Sequence, residues 1–408
     1  MNAVYVARQP IFTRDLHLFG YELLFRPTGQ AELAGVTDDD DATQQVVTTA
    51  FTVIGLERLV GSAPALINVG EAFLLREAEQ RSLPSGRIIL EVLESVTATP
   101  QVLAALETLR AAGYRICLDD FEPGPGNRAL LEHADIVKLE TEGRSASRLA
   151  EQVAEVKRPG IRLLAEKLED RQQFRDCLDI GFHYFQGYFL SRPRTVRGAA
   201  VPAGRLATLR LLATIQRQDL EVAELERIIT TDVGLSYRLL RYMNSAYYQL
   251  QRPLESVRQA ILYLGLRELR RWASLMAIST VDDKPPELIR TLTIRARMCE
   301  LIGARLQAGN GDAFFTVGLF SGLDAVLDVS LDEALAELPL SDEVHRAVLH
   351  RNGRLGEALE CVLHYEVGDW DWLEDSGYAS GVVIQCYLEA IDWARQLLDG
   401  SATGMTNG

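Results

Sequence analysis

Ile116-Cys117-Leu118-Asp119-Asp120-Phe121 is a short apolar run that ends in two adjacent carboxylates. Read as a β-strand, it carries the pair out of a hydrophobic core, where neighbouring charges are costly unless a cation holds them. Any chemistry in this chain is expected to centre there.

Outward from that stretch, the flanking segments repeat one rhythm of apolar strand, polar turn and amphipathic helix. Upstream, Val4 to Ile11 and Leu16 to Leu24 read as a hairpin, Asp41 to Gly55 as a helix and Ala65 to Val69 as a strand. Ala72 to Gln80 (helix), Arg87 to Leu93 (strand) and Thr99 to Ala112 (helix) then lead into the aspartate strand. Downstream, strands are expected at Ala134 to Leu139, Ile161 to Ala165 and Tyr184 to Leu190, separated by helices at Ser145 to Val156 and Arg171 to Ile180. This alternation predicts an α/β fold with a parallel sheet. So many units behind one antiparallel strand predict a closed, modified TIM-type (β/α) barrel.

In such barrels functional side chains collect at the C-terminal ends of the strands. Glu22, Asn68, Glu91, Asp119, Asp120, Lys138, Glu166 and Gln186 all fall at or near one. The set is rich in oxygen and lacks His and Cys, which suits Mg²⁺ or Mn²⁺ and disfavours zinc. Two such ions roughly 3.5–4 Å apart stabilise the attacking and leaving oxygens of phosphodiester hydrolysis. Asp119 and Asp120 are the expected ligands, and Lys138 the residue that orients the attacking water.

The formal charge of −15 excludes the basic footprint that nucleic-acid binding requires, yet it is compatible with a small phosphate-bearing ligand held through divalent metal. The N-terminus lacks a signal-peptide pattern and no apolar run is long enough to span a membrane, so a cytoplasmic protein with no membrane partner is expected. The cysteines Cys117, Cys177, Cys299, Cys361 and Cys386 are widely spaced with no CxxC pair and read as reduced, mostly buried thiols.

Taken in order, several motifs resemble the EAL domain of bacterial cyclic di-GMP phosphodiesterases. They are Gly20-Tyr21-Glu22-Leu23-Leu24-Phe25-Arg26, Asn68, Glu91 with Glu94, Asp119-Asp120-Phe121, Lys138, Ala165-Glu166-Lys167-Leu168-Glu169 and Gln186-Gly187-Tyr188. The resemblance implies that Glu22, Asn68, Glu91, Asp119 and Asp120 coordinate metal, with Lys138, Glu166 and Gln186 completing the site. It implies that Arg26 contacts a ligand phosphate with Leu24 and Gln186 beside it, and that Glu94 and Glu169 support the loop after Phe121. It also implies dimerisation through the barrel. Two departures stand out. The signature reads Glu22-Leu23-Leu24, and the loop Glu122-Pro123-Gly124-Pro125-Gly126-Asn127-Arg128 is both rewritten and shorter than the family's. Two prolines restrict that loop, and Glu122 adds negative charge beside an acidic site.

Beyond Pro193 the strand signals end. Residues 195–204 read as a linker and 205–398 as an all-helical domain, followed by a Gly, Ser and Thr rich tail at 399–408 expected to be disordered. Leu235 to Ala246 and Ala260 to Gly265 resemble the HDOD domain, a helical relative of metal-dependent HD phosphohydrolases. Where those relatives carry a His-Asp pair, this chain has Ser321-Gly322 within Gly318-Leu319-Phe320-Ser321-Gly322-Leu323. A metal site is therefore not expected there, and the domain reads as regulatory or as the platform for a protein partner. His350 and His364 read as ordinary residues rather than ligands. Asn244 is expected to end a helix through side-chain hydrogen bonds, and Trp370 and Trp372 to form a buried aromatic pair.

The expected function is cyclic di-GMP signalling, with hydrolysis to linear pGpG by the barrel. The alternatives are a receptor that binds without turnover and a scaffold with a relic barrel.

Overall fold

The computed structural model describes residues 4–27, 54–124, 126–187, 203–244, 248, 252, 254–279, 281, 284–306 and 311–399. Most of the expected helix from Asp41, the last residues of the strand expected to end at Leu190, most of the 195–204 linker and the tail after Asp399 lie outside them.

The first unit is a closed eight-stranded barrel. Its strands are β1 (Val4–Thr13), β2 (Leu18–Pro27), β3 (Ala65–Val69), β4 (Ile88–Val92), β5 (Arg115–Leu118), β6 (Ile136–Glu140), β7 (Arg162–Leu168) and β8 (Tyr184–Gly187). β1 runs antiparallel to both β2 and β8, and every other neighbouring pair is parallel. The modified TIM-type barrel with one reversed strand is therefore the observed fold. The helices between strands start at local signals: Thr99 and Ser145 accept from backbone N–H groups as N-caps, and Asp170 caps the helix Arg171–Ile180 twice.

Ile11, Leu66, Ile89, Cys117, Ile136 and Leu164 form one buried layer inside the barrel. Strand side chains alternate with a period of two. Stepping two residues from that layer toward the C-terminal rim reaches Asn68, Glu91, Asp119, Lys138 and Glu166, so the apolar layer fixes the register of the polar one.

The contiguous helical domain expected over 205–398 divides differently. His364–Ile384 clusters with the barrel, while Ser191–Leu363 and Gln385–Gly408 form the second unit. The cause is aromatic burial: Trp370 stacks on Tyr5 of β1 at 4.9 Å, and the Tyr365 hydroxyl donates to the Val6 carbonyl at 2.9 Å.

The second unit is helical throughout its described residues. Gly265, with φ 74°, interrupts the helix Val257–Ser279 at the end of the Ala260 to Gly265 motif. Asn244 ends the helix Val233–Met243 as expected, through its backbone N–H, while its side chain exchanges two hydrogen bonds with the backbone of Leu254 instead of the helix. The helices Pro286–Arg305 and Gly311–Phe320 approach closely because Gly318 and Gly303 leave room. A Cβ at Gly318 would come within 2.7 Å of Ala296 Cα, and one at Gly303 within 2.5 Å of the Phe314 ring. All five cysteines are buried and free. No helix among the described residues is long and apolar enough to cross a membrane.

Candidate metal and phosphodiester site

At the C-terminal rim the ammonium of Lys138, 2% exposed, lies among four carboxylates. It is 2.9 Å from Asp119 Oδ1, 3.1 Å from Glu166 Oε2 and 3.5 Å from Glu22 Oε2, and it also donates to Glu91. Glu22 accepts from Gln186 Nε2 at 2.6 Å and from Asn68 Nδ2 at 3.3 Å. Asp119, Asp120 and Glu166 each present a carboxylate oxygen within 4.8 Å of the others. Eight residues from seven strands or strand ends thus meet in one place.

Backbone geometry brings the two aspartates to the same side. In a regular strand Asp119 and Asp120 would face opposite ways. Asp119 continues the ladder by donating to the Val92 carbonyl, whereas Asp120 adopts φ 39° before Phe121 returns to the β6 edge. A left-handed aspartate is tolerated but uncommon, and here it turns the second carboxylate toward Glu166. A matching irregularity follows Glu166: Lys167 has φ 54°, and the register with β8 shifts between Ala165 and Leu168.

The protonation pattern follows from burial and partners. Burial alone would raise Glu22, but the charge of Lys138 and the donors on Gln186 and Asn68 hold it below the ordinary carboxylate value. Glu91 sits closer to the lysine than Glu22 does yet is raised well above the ordinary value, by complete burial and then by the charge of Glu22. The difference is the number of donors, since Glu91 Oε2 is buried without a hydrogen-bond partner. Burial opposes the charge of Lys138, but Glu22, Glu91, Glu166 and Asp119 outweigh it and keep the ammonium protonated. Glu166 is pushed up to about 8 by burial and by the adjacent Asp120, which is itself lowered by the hydrogen bond they share.

Other buried oxygens here also lack hydrogen-bond partners: Asn68 Oδ1, Asp120 Oδ1, Glu166 Oε1 and Gln186 Oε1. Buried polar atoms are seldom left unsatisfied. An all-oxygen set with spare lone pairs and excess negative charge fits a hard divalent cation.

The remaining site residues of the sequence reading lie further out. Glu94 lines a cavity of about 350 Å³ with Asp119, Asp120, Phe121 and Glu122. The backbone N–H of Glu169 donates to Gln173. Arg26 is bound to Asp371 at 2.6 Å, and Leu24 lies against Gly368. The rewritten loop closes on itself: Asn127 accepts from Gly124 N and donates to the Glu122 carbonyl. Arg144 neutralises Glu122 at 3.3 Å and Glu140 at 3.7 Å. Gln9, absent from the sequence reading, accepts from Gln186 at 3.0 Å. Its signal was available in its position two residues before the inward-facing Ile11.

In the helical unit, Ser321 donates to the Gly318 carbonyl and accepts from Arg295, while a Cβ at Gly322 would come within 2.5 Å of Leu292. The position of the missing His-Asp pair is filled by packing.

Residues 71–193 match the EAL domain family and 202–346 the HDOD domain family. The chain is 31% identical to the uncharacterized protein YuxH of Bacillus subtilis over 409 residues, 97% of this chain and 99% of that one. It is likewise 31% identical over 405 residues to the cyclic di-GMP phosphodiesterase CdgJ of Vibrio cholerae, 97% of this chain and 94% of that one. The chain belongs to the EAL–HDOD family. Among solved structures it is similar to the Klebsiella pneumoniae BlrP1 calcium/cy-diGMP complex, with 22% identity and a TM-score of 0.39 over 47% of this chain and 55% of that one. The EAL barrel extends beyond the matched residues, because β2 and β3 supply Glu22 and Asn68 to the same site.

Proposed function

We propose that the EAL barrel binds cyclic di-GMP through divalent cations, Mg²⁺ or Mn²⁺, and hydrolyses one phosphodiester to give linear pGpG. The observation that carries this reading is the ring of buried oxygens that no N–H or hydroxyl donor reaches, Asn68 Oδ1, Glu91 Oε2, Asp120 Oδ1 and Glu166 Oε1, closed around Lys138. Kinship over nearly the full length with a protein named as a cyclic di-GMP phosphodiesterase supports the choice of substrate.

Glu22, Asn68, Glu91, Asp119 and Asp120 would hold the cations, which supply Lewis-acid stabilisation of the attacking and leaving oxygens. Lys138 spaces the carboxylates and keeps a charged donor at the centre, placed to orient water. Glu166 shares a hydrogen bond with Asp120 and so can hold a proton at the rim. Gln186 and Gln9 fix the orientation of Glu22. The HDOD helices, their metal positions filled by side-chain packing, serve as the regulatory or partner-binding half.

The test is a product assay run beside a binding titration, on the wild type and Glu22→Ala. Linear pGpG formed by the wild type in Mg²⁺ or Mn²⁺, and lost in the variant, is the expected result. Saturable binding without product would replace hydrolysis by a receptor role. That second reading is favoured by the loop Glu122–Arg128, whose bonds are largely internal or to Arg144.

A further inference from the structure

The hairpin β1–β2 pairs Tyr5 with Arg26, Ala7 with Leu24 and Gln9 with Glu22. Directly paired residues of an antiparallel ladder share a face, so all six lie on the face that delivers Glu22 and Gln9 to the site. Arg26 is four residues beyond Glu22, roughly 13 Å along the strand.

This face is covered within the barrel unit by His364–Ile384. Trp370 stacks on Tyr5, and Tyr365 meets the same ring edge-on at 6.3 Å. The Tyr5 hydroxyl donates to Ser380 Oγ at 2.6 Å. Gly368, with φ 73°, lies so close to Leu24 that a Cβ there would come within 2.8 Å of Leu24 Cδ1. Beyond these contacts Asp371 Oδ1 accepts from Arg26 Nη1 at 2.6 Å.

The anchor and the ion pair differ in strength. Tyr365, Trp370 and Leu373 are buried, so the backbone at 371 is held firmly. The Asp371 side chain is 82% exposed and that of Arg26 26%, so the pair between them is solvated and readily exchanged. A carboxylate and a phosphate present the same kind of acceptor to a guanidinium. We propose that Asp371 is an internal occupant of the phosphate seat at Arg26, so that an anionic ligand reaching over the rim must displace it. The C-terminal segment thereby contributes a residue to the ligand site and lowers its affinity. The inference rests on the proposed binding of cyclic di-GMP over the metal site, with Arg26 as the phosphate contact that the EAL resemblance implies.

The experiment is calorimetric titration of the full chain with cyclic di-GMP in Ca²⁺, using wild type, Asp371→Asn, Arg26→Ala and the double variant, with thermal melts to verify folding. Asp371→Asn should tighten binding about two- to fivefold, the range expected for releasing an exposed ion pair. Arg26→Ala should weaken it, and the double variant should match Arg26→Ala because Asp371 acts only through Arg26. If Arg26→Ala weakens binding but Asp371→Asn leaves it unchanged or weaker, the seat is not contested, and the inference fails while the functional reading stands. If Asp371→Asn tightens binding equally without Arg26, a general charge effect replaces the proposed one. If the wild type binds no cyclic di-GMP, the functional reading fails and takes this inference with it.

Discussion

Replacing Lys138 with Met removes the ammonium from among Glu22, Glu91, Asp119 and Glu166 while keeping a side chain of similar length. Lys138 and Glu91 are essentially sealed from solvent, so the remaining carboxylates can neither rehydrate nor pair. Removing one partner of a buried ion pair costs about 3–5 kcal/mol, because the other charge stays buried. For a unit of this size each kcal/mol lowers the melting temperature by about 2–4 °C, so Lys138→Met should melt roughly 6–20 °C below wild type in chelator. Two further results follow from the same cause. The carboxylates will take up protons in place of the lost cation, so the deficit should grow as pH rises from 5 to 8. Mn²⁺, which can replace the missing positive charge, should recover a larger share of the melting temperature in the variant than in wild type. Scanning calorimetry with chelator, then with Mn²⁺, measures both. A variant melting within 2 °C of wild type in chelator at pH 8 would refute the electrostatic account of the site.

Glu166, pushed up to about 8, binds its proton more tightly in the folded chain than in the unfolded one. Its contribution is therefore fully present below the ordinary carboxylate range and lost as pH rises through about 8. In chelator the melting temperature should fall between pH 6 and 9, and Glu166→Gln should flatten that slope. Gly187, with φ 139°, sits where a Cβ would come within 2.3 Å of Leu168 N; Gly187→Ala should cost roughly 1–3 kcal/mol by denaturant titration and displace the neighbouring Gln186. Gly318→Ala should destabilise the helical unit by a similar amount, roughly 1–3 kcal/mol, by driving a methyl into Ala296.

The barrel is legible in the sequence because each strand obeys the same two-residue alternation. Ile89 and Glu91, Cys117 and Asp119, Ile136 and Lys138, and Leu164 and Glu166 repeat one inward-facing step from an apolar layer to a polar one. Asp120 is expected at the site from the sequence, but the turn that brings it there is not legible, because alternation faces it away and only its left-handed backbone brings it back. Gln9 is legible only once the direction of its strand is allowed for. It lies on the reversed strand, where the rim corresponds to an earlier residue rather than a later one. The docking of His364–Ile384 depends on contacts such as Tyr5 with Trp370, more than 360 positions apart, which no local periodicity encodes.

The two halves divide their polar residues in opposite ways. In the helical unit, the position where a relative would hold metal is closed by packing. Gly322 has no room for a side chain beside Leu292, and Ser321 spends its hydroxyl on Arg295 and the Gly318 carbonyl. Restoring a side chain at Gly322 would therefore require at least the Leu292 side chain to move. In the barrel, by contrast, the buried oxygens Glu91 Oε2, Asp120 Oδ1 and Glu166 Oε1 are reached by no N–H or hydroxyl donor. Unsatisfied acceptors retained at the rim, beside apolar layers that leave none, are what a binding site needs and what stability alone would remove. That contrast is the reason the proposed chemistry is sought at the rim around Asp119 and Asp120 rather than among the helices.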